Sequence, residues 1–492
     1  MKKILLINPR TPDTFWNFKH ILKFISRKAV YPPLGLLTIA SLLPSDWEKK
    51  LIDLKITELS DSEIEWADLI LISAMMIQKE SANEIINRCH KIGKIILAGG
   101  PLFSVQPEKF SKVNHLFVGE AEETLTEFID DYKNGVAKKI YEAADFPDLK
   151  KTPIPMWNLI NFKDYVTMTL QFSRGCPFDC EFCGVIAMNG RKTRVKSSGQ
   201  FISELESLYV TGWRGTIFIV DDNFIGNKKE VKFLLNEIID WQKTRRFPYK
   251  FLTQASVNLG ADEELMRLMS EANFFKVFLG LETPSESSLE ECNKIQNLKG
   301  DIPVYIKNIQ NHGMQVMGGF VIGFDNDDSN IFGLQKKFIE NTGVVTAMVG
   351  ILTALPGTRL YQRLKEEGRL TGDSSGANTE VSGLNFIPKN MSREELVNGY
   401  KKLIKCLYSD ESFYKRIENF LSSYRPTVKS GRISSVDIKA LFCCLVIIGF
   451  SSSFFYFWGN LLKTMIKKTK SVPVFIELVI QGYHYKKMAK NL

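Results

Sequence analysis

The stretch Ser173-Arg-Gly-Cys-Pro-Phe-Asp-Cys-Glu-Phe-Cys-Gly184 decides how the rest of the chain is read. It follows an apolar strand candidate, Met168–Ser173, and sets Cys176, Cys180 and Cys183 four and three residues apart in one short loop. Thiols so spaced at a strand end can converge on a single iron–sulfur cubane. Three ligands leave the fourth iron open to a chelating substrate or cofactor, whereas a cluster used only for electron transfer is usually closed by a fourth cysteine. Zinc is the alternative occupant; it needs a fourth ligand, and no histidine lies near the loop.

Downstream, strand candidates recur at Thr216–Val220, Lys250–Gln254, Lys276–Leu281, Gln315–Ile322 and Thr346–Leu352, with helical patterns such as Lys228–Lys243 and Asp262–Ala272 between them. Six βα units predict a partial (β/α)6 barrel over residues 168–370. Upstream, Lys3–Asn8, Lys50–Ile56, Asp68–Ala74, Lys94–Ala98 and His115–Val118 alternate with helical patterns at Pro33–Leu43, Lys79–Lys91 and Ala121–Tyr132. Strands such as LILIS and IILAG are apolar throughout, as in a parallel sheet covered on both faces. Residues 1–135 therefore read as a doubly wound, Rossmann/flavodoxin-like α/β domain. Residues 136–167, with Pro147, Pro153 and Pro155, read as a linker. Residues 371–492 read as a helical extension: Ser392-Arg-Glu-Glu395 is a capping box opening a long helix through about Leu421.

At 492 residues and 44% apolar the chain can bury several cores. Met1-Lys2-Lys3 runs straight into ILLINP, too short for the apolar stretch of a secretory leader, which predicts a cytoplasmic protein. The eight cysteines then read as thiols or metal ligands, not as a disulfide framework. Cys89, Cys292, Cys406, Cys443 and Cys444 show no ligand spacing and read as buried thiols. The net charge of +9 is concentrated: residues 401–492 hold 16 basic and 5 acidic side chains, and the remainder is slightly acidic. Such a patch points to an anionic partner, and no RNA-binding module accompanies it, so nucleic acid is not expected. The uncharged run Ala440–Leu462 has three readings: a membrane span on length, a buried helix sealing the barrel, or an interfacial helix with its lysines on headgroups.

The Cys-x3-Cys-x2-Cys loop, with Phe182 before its last cysteine, resembles the radical S-adenosylmethionine (SAM) superfamily. VDDN (220–223), GLET (280–283), GGFVIGF (318–324) and LPGTRLY (355–361) follow in that family's order. The resemblance implies a [4Fe–4S] cluster on Cys176, Cys180 and Cys183, with SAM chelating the open iron and cleaved to a 5′-deoxyadenosyl radical. It implies Phe182 near the adenine, Glu282 near the ribose and Gly323 at the border of the adenine. Asp221 and Asp222 stand where the methionyl amine is usually met, although the usual Gly-Gly-Glu is absent. Their alternative role is capping the next helix, and that of Glu282 is a plain surface carboxylate.

The upstream domain resembles the cobalamin-dependent branch of that superfamily, through YPPLGLLTIA (31–40), LAGGP (97–101) and VGEAE (118–122). This implies cobalamin contacts at Pro32, Leu34, Gly99, Gly100, Gly119 and Glu120. Glycines after a strand let backbone approach a large ligand closely, although any α/β domain can carry them. Where many such domains have Asp-x-His-x-x-Gly, the chain reads Asp53-Leu54-Lys55, which implies cobalamin bound without a histidine axial ligand, or a lost cofactor. The resemblance is greatest to hopanoid-methylase-like proteins with a basic helical C-terminal extension. It implies methylation of an unactivated carbon of a hydrophobic substrate such as a membrane lipid, with a reductase, flavodoxin or ferredoxin as electron donor. A site on the cytoplasmic face of the membrane, held peripherally, follows from the basic extension. The rivals are a ring-forming or rearranging radical SAM enzyme without methyl transfer, and a non-catalytic cobalamin or redox sensor. A methylthiotransferase acting on RNA would carry further cluster cysteines upstream, where only Cys89 is found.

Overall fold

The computed structural model describes residues 2–377, 383–427, 429 and 435–492. The chain forms two compact units. The first comprises Met1–Asp13, Lys28–Cys176 and Gly184–Arg214, the second Thr14–Arg27, Pro177–Cys183 and Gly215–Leu492.

In the first unit, runs such as Ile4–Ile7 and Leu69–Ile72 are apolar at every position and almost fully buried, which requires cover on both faces. They form six parallel strands: β1 (Lys3–Asn8), β2 (Glu48–Asp53), β3 (Leu69–Ser73), β4 (Ile95–Gly99), β5 (His115–Val118) and β6 (Ile140–Glu142). Ile4 and Leu6 point to the helices Leu34–Leu42 and Ala121–Lys133, while Leu5 and Ile7 point to Lys79–Lys91 and Pro101–Val105. The order is β2-β1-β3-β4-β5-β6, so the winding reverses between β1 and β3. Ligands of doubly wound sheets bind beyond the carboxyl ends of the strands at such a reversal. Strand β6 falls within the stretch that reads as a linker. Its Tyr141 is buried and stacks on Phe117, a contact that three residues of sequence do not advertise. The strand expected at Met168–Ser173 is broken into β7 (Thr167–Leu170) and β8 (Ser173–Arg174), the latter antiparallel to β9 (Arg194–Val195).

The second unit holds β10 (Gly215–Ile219), β11 (Tyr249–Ala255), β12 (Phe274–Glu282), β13 (Gln315–Ile322) and β14 (Thr346–Ile351). Each lies parallel to its sequence neighbour, with helices such as Lys228–Thr244 and Ile302–Asn311 between them, the sequential order of a barrel wall. The helix expected from Ser392 through Leu421 is two, Arg393–Leu407 and Asp410–Ser423, because Ser409 starts a new one by accepting from the Ser412 amide. Tyr400 and Tyr408 donate to the β14 carbonyls of Val349 and Ala347 at 3.2 and 2.6 Å, docking the helical region on that strand. The uncharged run also divides, into parts of Ser435–Ile447 and Phe454–Lys467. No described helix is long and apolar enough to cross a membrane. The helix Val472–Asn491 holds the early segment Thr14–Arg27: a His484 ring nitrogen lies 3.1 Å from the Thr14 carbonyl, and Phe15 packs edge-on against Tyr485.

Candidate functional site

The chain passes from the first unit to the second inside the cysteine loop, Cys176 closing one segment and Pro177–Cys183 belonging to the other. On the first side, Gly175 has φ +92°, and a Cβ there would stand 2.6 and 2.9 Å from the Lys192 and Asn189 carbonyl oxygens. Only glycine lets the backbone pass so close. The Cys176 amide then donates to the Gly190 carbonyl at 3.2 Å. Arg174 and Arg194, paired across β8 and β9, both bind the Glu120 carboxylate, and Arg174 also reaches Glu122 at 2.6 Å. Burial opposes the Arg174 charge, but Glu122 and Glu120 outweigh it and raise its pKa. The Glu120 side chain is thus committed to the arginines that flank the loop.

On the second side, the loop is tied down through its backbone and one carboxylate. The Glu181 amide donates to the Cys292 carbonyl at 2.9 Å, and the Leu360 amide donates to the Glu181 carbonyl at 3.1 Å. Arg363 grips the Glu181 carboxylate through Nε at 2.7 Å and Nη2 at 3.1 Å. Asn293 and Arg359 both donate to the Asp179 carbonyl, at 2.8 and 2.6 Å. LPGTRLY and the residues after it therefore act here as a clamp on the cysteine loop.

Next to Cys180 stands Gln296, whose amide nitrogen is 3.6 Å from the sulfur. Lys294 pairs with Glu282 at 2.7 Å and lies 6.0 Å from the Phe182 ring centroid. Burial alone would lower the Lys294 pKa; Glu282, with Cys180 and Cys183 nearby, more than reverses this and raises it. Phe182 also meets Phe324 edge-on at 6.0 Å, and the Gly323 and Phe324 amides both donate to Asp327. Three of the residues expected to meet SAM, Phe182, Glu282 and Gly323, are thus drawn together around Lys294 and Phe324. Glu282 is not a plain surface carboxylate: it is buried, at φ +59°, where the β12–β13 register shifts. Gly280 is the floor of its ion pair, since a Cβ there would stand 2.5 Å from Glu282 Oε1 and 2.9 Å from Lys294 Nζ.

Asp221 is fully buried beyond β10, with Asp222 beside it. Neither caps the following long helix; that cap is Asn227, which accepts from the Glu230 amide. Asn223 instead receives the Ser256 amide at 3.1 Å, joining the ends of β10 and β11.

In the first unit, the expected cobalamin contacts gather at carboxyl ends of strands. Gly100, at φ +91°, follows β4, and a Cβ there would meet Ser73 Oγ of β3 at 3.0 Å. Ser104 links it onward, donating to the Gly100 carbonyl at 3.0 Å and accepting from the Gly119 amide at 2.9 Å. A Cβ at Gly99 would touch Phe117 at 3.4 Å, whereas Gly119 has open space at that position. At the end of β2, the buried Asp53 accepts from Asn8 at 2.9 Å, from the Tyr165 hydroxyl at 3.0 Å and from the Lys55 amide at 3.1 Å. The Lys55 ammonium lies 3.4 Å from Asp53 and donates to the Tyr31 carbonyl at 2.8 Å, next to Pro32. The Leu34 amide donates back to the Pro32 carbonyl at 3.0 Å, starting the helix Leu34–Leu42. Burial, and then Asp53, push the Tyr165 pKa up, so its hydroxyl remains a donor.

No cysteine is in a disulfide, and no three His, Cys, Asp or Glu side chains among the described residues are gathered as a metal site. The donor chemistry nevertheless fits the expected groups. The loop offers three reduced thiols with an ammonium beside two of them, and the glycine-lined ends of β4 and β5 present backbone free of side-chain bulk.

Family comparisons bear on this geometry. Residues 23–129 match the B12 binding domain, 170–331 the radical SAM superfamily, and 358–492 a domain of unknown function (DUF4070). An uncharacterized methyltransferase of Synechocystis sp. is 40% identical over 89% of this chain and 83% of its own length. The hopanoid C-2 methylase of Rhodopseudomonas palustris is 32% identical over 85% of this chain and 79% of its own. This chain belongs to the cobalamin-dependent radical SAM methyltransferases. Its cofactors are accordingly a [4Fe–4S] cluster, SAM and cobalamin. The fold agrees: the cobalamin-dependent radical SAM enzyme OxsB superposes with a TM-score of 0.65 at 15% identity, covering 100% of this chain and 80% of that one. The radical SAM methyltransferase TsrM of Kitasatospora setae superposes with a TM-score of 0.62 at 14% identity, covering 98% and 99%.

Sequence reasoning did not find Lys294, Gln296, Arg363 or Tyr165. The cysteine loop gives no signal for Lys294 at its own position; the signal was GLET, whose glycine makes sense only if something large crosses it.

Proposed function

We propose that this methyltransferase acts on an unactivated carbon of a hydrophobic molecule, with a membrane lipid as the leading substrate class. The observation that carries the reading is the likeness to the hopanoid C-2 methylase over 85% of the chain. In this reading Cys176, Cys180 and Cys183 hold the cluster, and Phe182, Glu282 and Gly323 border SAM. Gly99, Gly100 and Gly119 would lie against the cobalamin, and Lys55 occupies the sequence position at which many such domains carry histidine. When bound, the reduced cluster supplies the electron that cleaves SAM, and cobalamin carries the methyl group.

The chain's own residues do the rest. Arg363 and Arg359 fix the loop so that its thiols keep one geometry, and the Glu282–Lys294 pair keeps positive charge beside Cys180. Asp53, neutralised by Lys55 and held by Asn8 and Tyr165, shapes the far end of the first sheet without offering a ring nitrogen. A reductase, flavodoxin or ferredoxin supplies the electron.

Anaerobic reconstitution with iron, sulfide, methylcobalamin and SAM tests this. Deoxyadenosine and S-adenosylhomocysteine should both form, and methyl-labelled methionine should mark a lipid only in cells with the enzyme. Deoxyadenosine without S-adenosylhomocysteine would indicate a ring-forming or rearranging enzyme; neither product would indicate a sensor. Label absent from every lipid would remove the lipid while leaving the chemistry. Cys180→Ala should lose cluster iron and all deoxyadenosine output.

A further inference from the structure

Half of the large apolar side chains exposed among the described residues fall between Ile438 and Ile466. They lie on the helices Ser435–Ile447 and Phe454–Lys467 and on the turn between them, where Phe450 is 75% exposed. The second helix buries one stripe, Phe457, Leu461 and Thr464. Its opposite side carries Phe455 at 85% and Ile466 at 81% exposure, where a surface helix of a soluble domain would carry charge. The first helix is apolar on every side through its second half and buries only Cys444 there.

Charge says what covers this surface. From Ile438 to Ile476 there is no acidic residue, while Lys439, Lys463, Lys467, Lys468 and Lys470 all fall in that span. Lys463 pairs with Glu418 at 3.0 Å and Lys468 caps the Leu421 and Ser422 carbonyls, whereas Lys467 and Lys470 are exposed. A second copy laid on the patch would bring these lysines against their own likes, which complementarity disfavours. An anionic lipid surface accepts both the lysines and the aromatic and aliphatic side chains. The helices, of 13 and 14 residues, are each roughly 20 Å long, too short for a hydrocarbon core of about 30 Å, so they suit the headgroup layer and not a span.

We propose that this helix pair docks the enzyme on an anionic phospholipid surface, its exposed apolar side chains among the upper acyl chains and Lys467 and Lys470 on the phosphates. Docking of this kind is independent of which molecule is methylated, and it gives a role to part of the region matched by the domain of unknown function.

Flotation of the full-length protein with vesicles tests it. The protein should float with vesicles of phosphatidylcholine and phosphatidylglycerol in equal parts and bind pure phosphatidylcholine about tenfold or more weakly. Phe442→Ser/Phe455→Ser/Ile466→Ser, all at exposed sites, should weaken binding to both vesicles by about a hundredfold or more while leaving the melting temperature unchanged. Lys467→Glu/Lys470→Glu should lose binding only to the anionic vesicles, and raised salt should act as that variant does. Wild-type protein that floats with neither vesicle, or a serine variant that floats as wild type does, would overturn the proposal. So would a wild-type dimer in sedimentation that the serine variant splits. Deoxyadenosine formation in solution is unaffected by these outcomes, so docking and chemistry are judged separately.

Discussion

In the first unit the strand order reverses between β1 and β3, and backbone room at the strand ends comes from Gly100 and Gly119 at positive φ. In the second unit every strand lies beside the next, and the feature at the end of β12 is a register shift that turns a charged residue, Glu282, into the left-handed region. One parallel-strand pattern thus yields two kinds of strand end. The first, around the ends of β1 to β4, is lined by uncharged backbone with a single buried carboxylate, Asp53, among four donors; the arginine ion pairs lie apart, on Glu120 and Glu122 after β5. The second is built on buried ion pairs: Glu282–Lys294, Arg363 with Glu181 and Asp325, and Arg369 with Asp325. A buried pair that loses one member leaves an uncompensated charge, so the second kind should be the more brittle.

The largest effect is expected where the two units meet in sequence. Gly175→Ala adds a Cβ against two carbonyl oxygens at positive φ, costing about 4 kcal/mol between strain and overlap. Reconstituted protein should hold little cluster although every cysteine is present; full iron content in this variant would show that the turn at Gly175 is dispensable. Next, Glu282→Gln strips the partner from Lys294 and should cost about 3 kcal/mol in denaturant unfolding, with SAM affinity falling alongside. An unchanged SAM dissociation constant would leave the pair a structural role only.

Asp325 sharpens the comparison through pH. Burial would raise its carboxyl, but hydrogen bonds from Arg369 and Arg363 outweigh burial and hold it below the usual range. A carboxyl depressed in the folded state contributes fully above its unfolded value of about 3.9, and that contribution is lost as pH falls through the folded value. Asp325→Asn should therefore cost about 2 kcal/mol at neutral pH and show a flatter fall in stability below about pH 4 than the wild type. Equal acid slopes would place the acid sensitivity elsewhere. The smallest effect belongs to the first unit: Tyr165→Phe removes one of several donors to Asp53 and should lower stability by about 1 kcal/mol in thermal unfolding. A loss as large as that of Glu282→Gln would erase the contrast between the two strand ends.

Much of this was legible in the sequence, for physical reasons. Strands buried on both faces are unbroken apolar runs, and β5 (His115–Val118) and β13 (Gln315–Ile322) fall on the residues that pattern marks. The cysteine loop is legible because its three ligands are local. Strand β6 was not, because three residues leave no periodicity and its anchor is tertiary burial of Tyr141. The helix breaks at Ser409 and around Gly449 were missed because apolar spacing continues across them; serine at Ser409 ends one helix by capping the next. Ion-pair partners such as Arg363 for Glu181 are invisible for another reason: they are 182 residues apart, and nothing local links them.

The grip of the Val472–Asn491 helix on the segment Thr14–Arg27 has a consequence for synthesis. A ribosome delivers Thr14 some 470 residues before His484, whose ring lies against its carbonyl. Throughout that interval Phe15 and Phe18, both buried in the finished protein, have no Tyr485 or His484 to pack against. The first unit can close around its own sheet while the chain is still growing, yet the second must wait for its own most distant helix. A cluster whose loop contributes Pro177–Cys183 to that second unit is therefore best inserted only once the Val472–Asn491 helix has folded onto it.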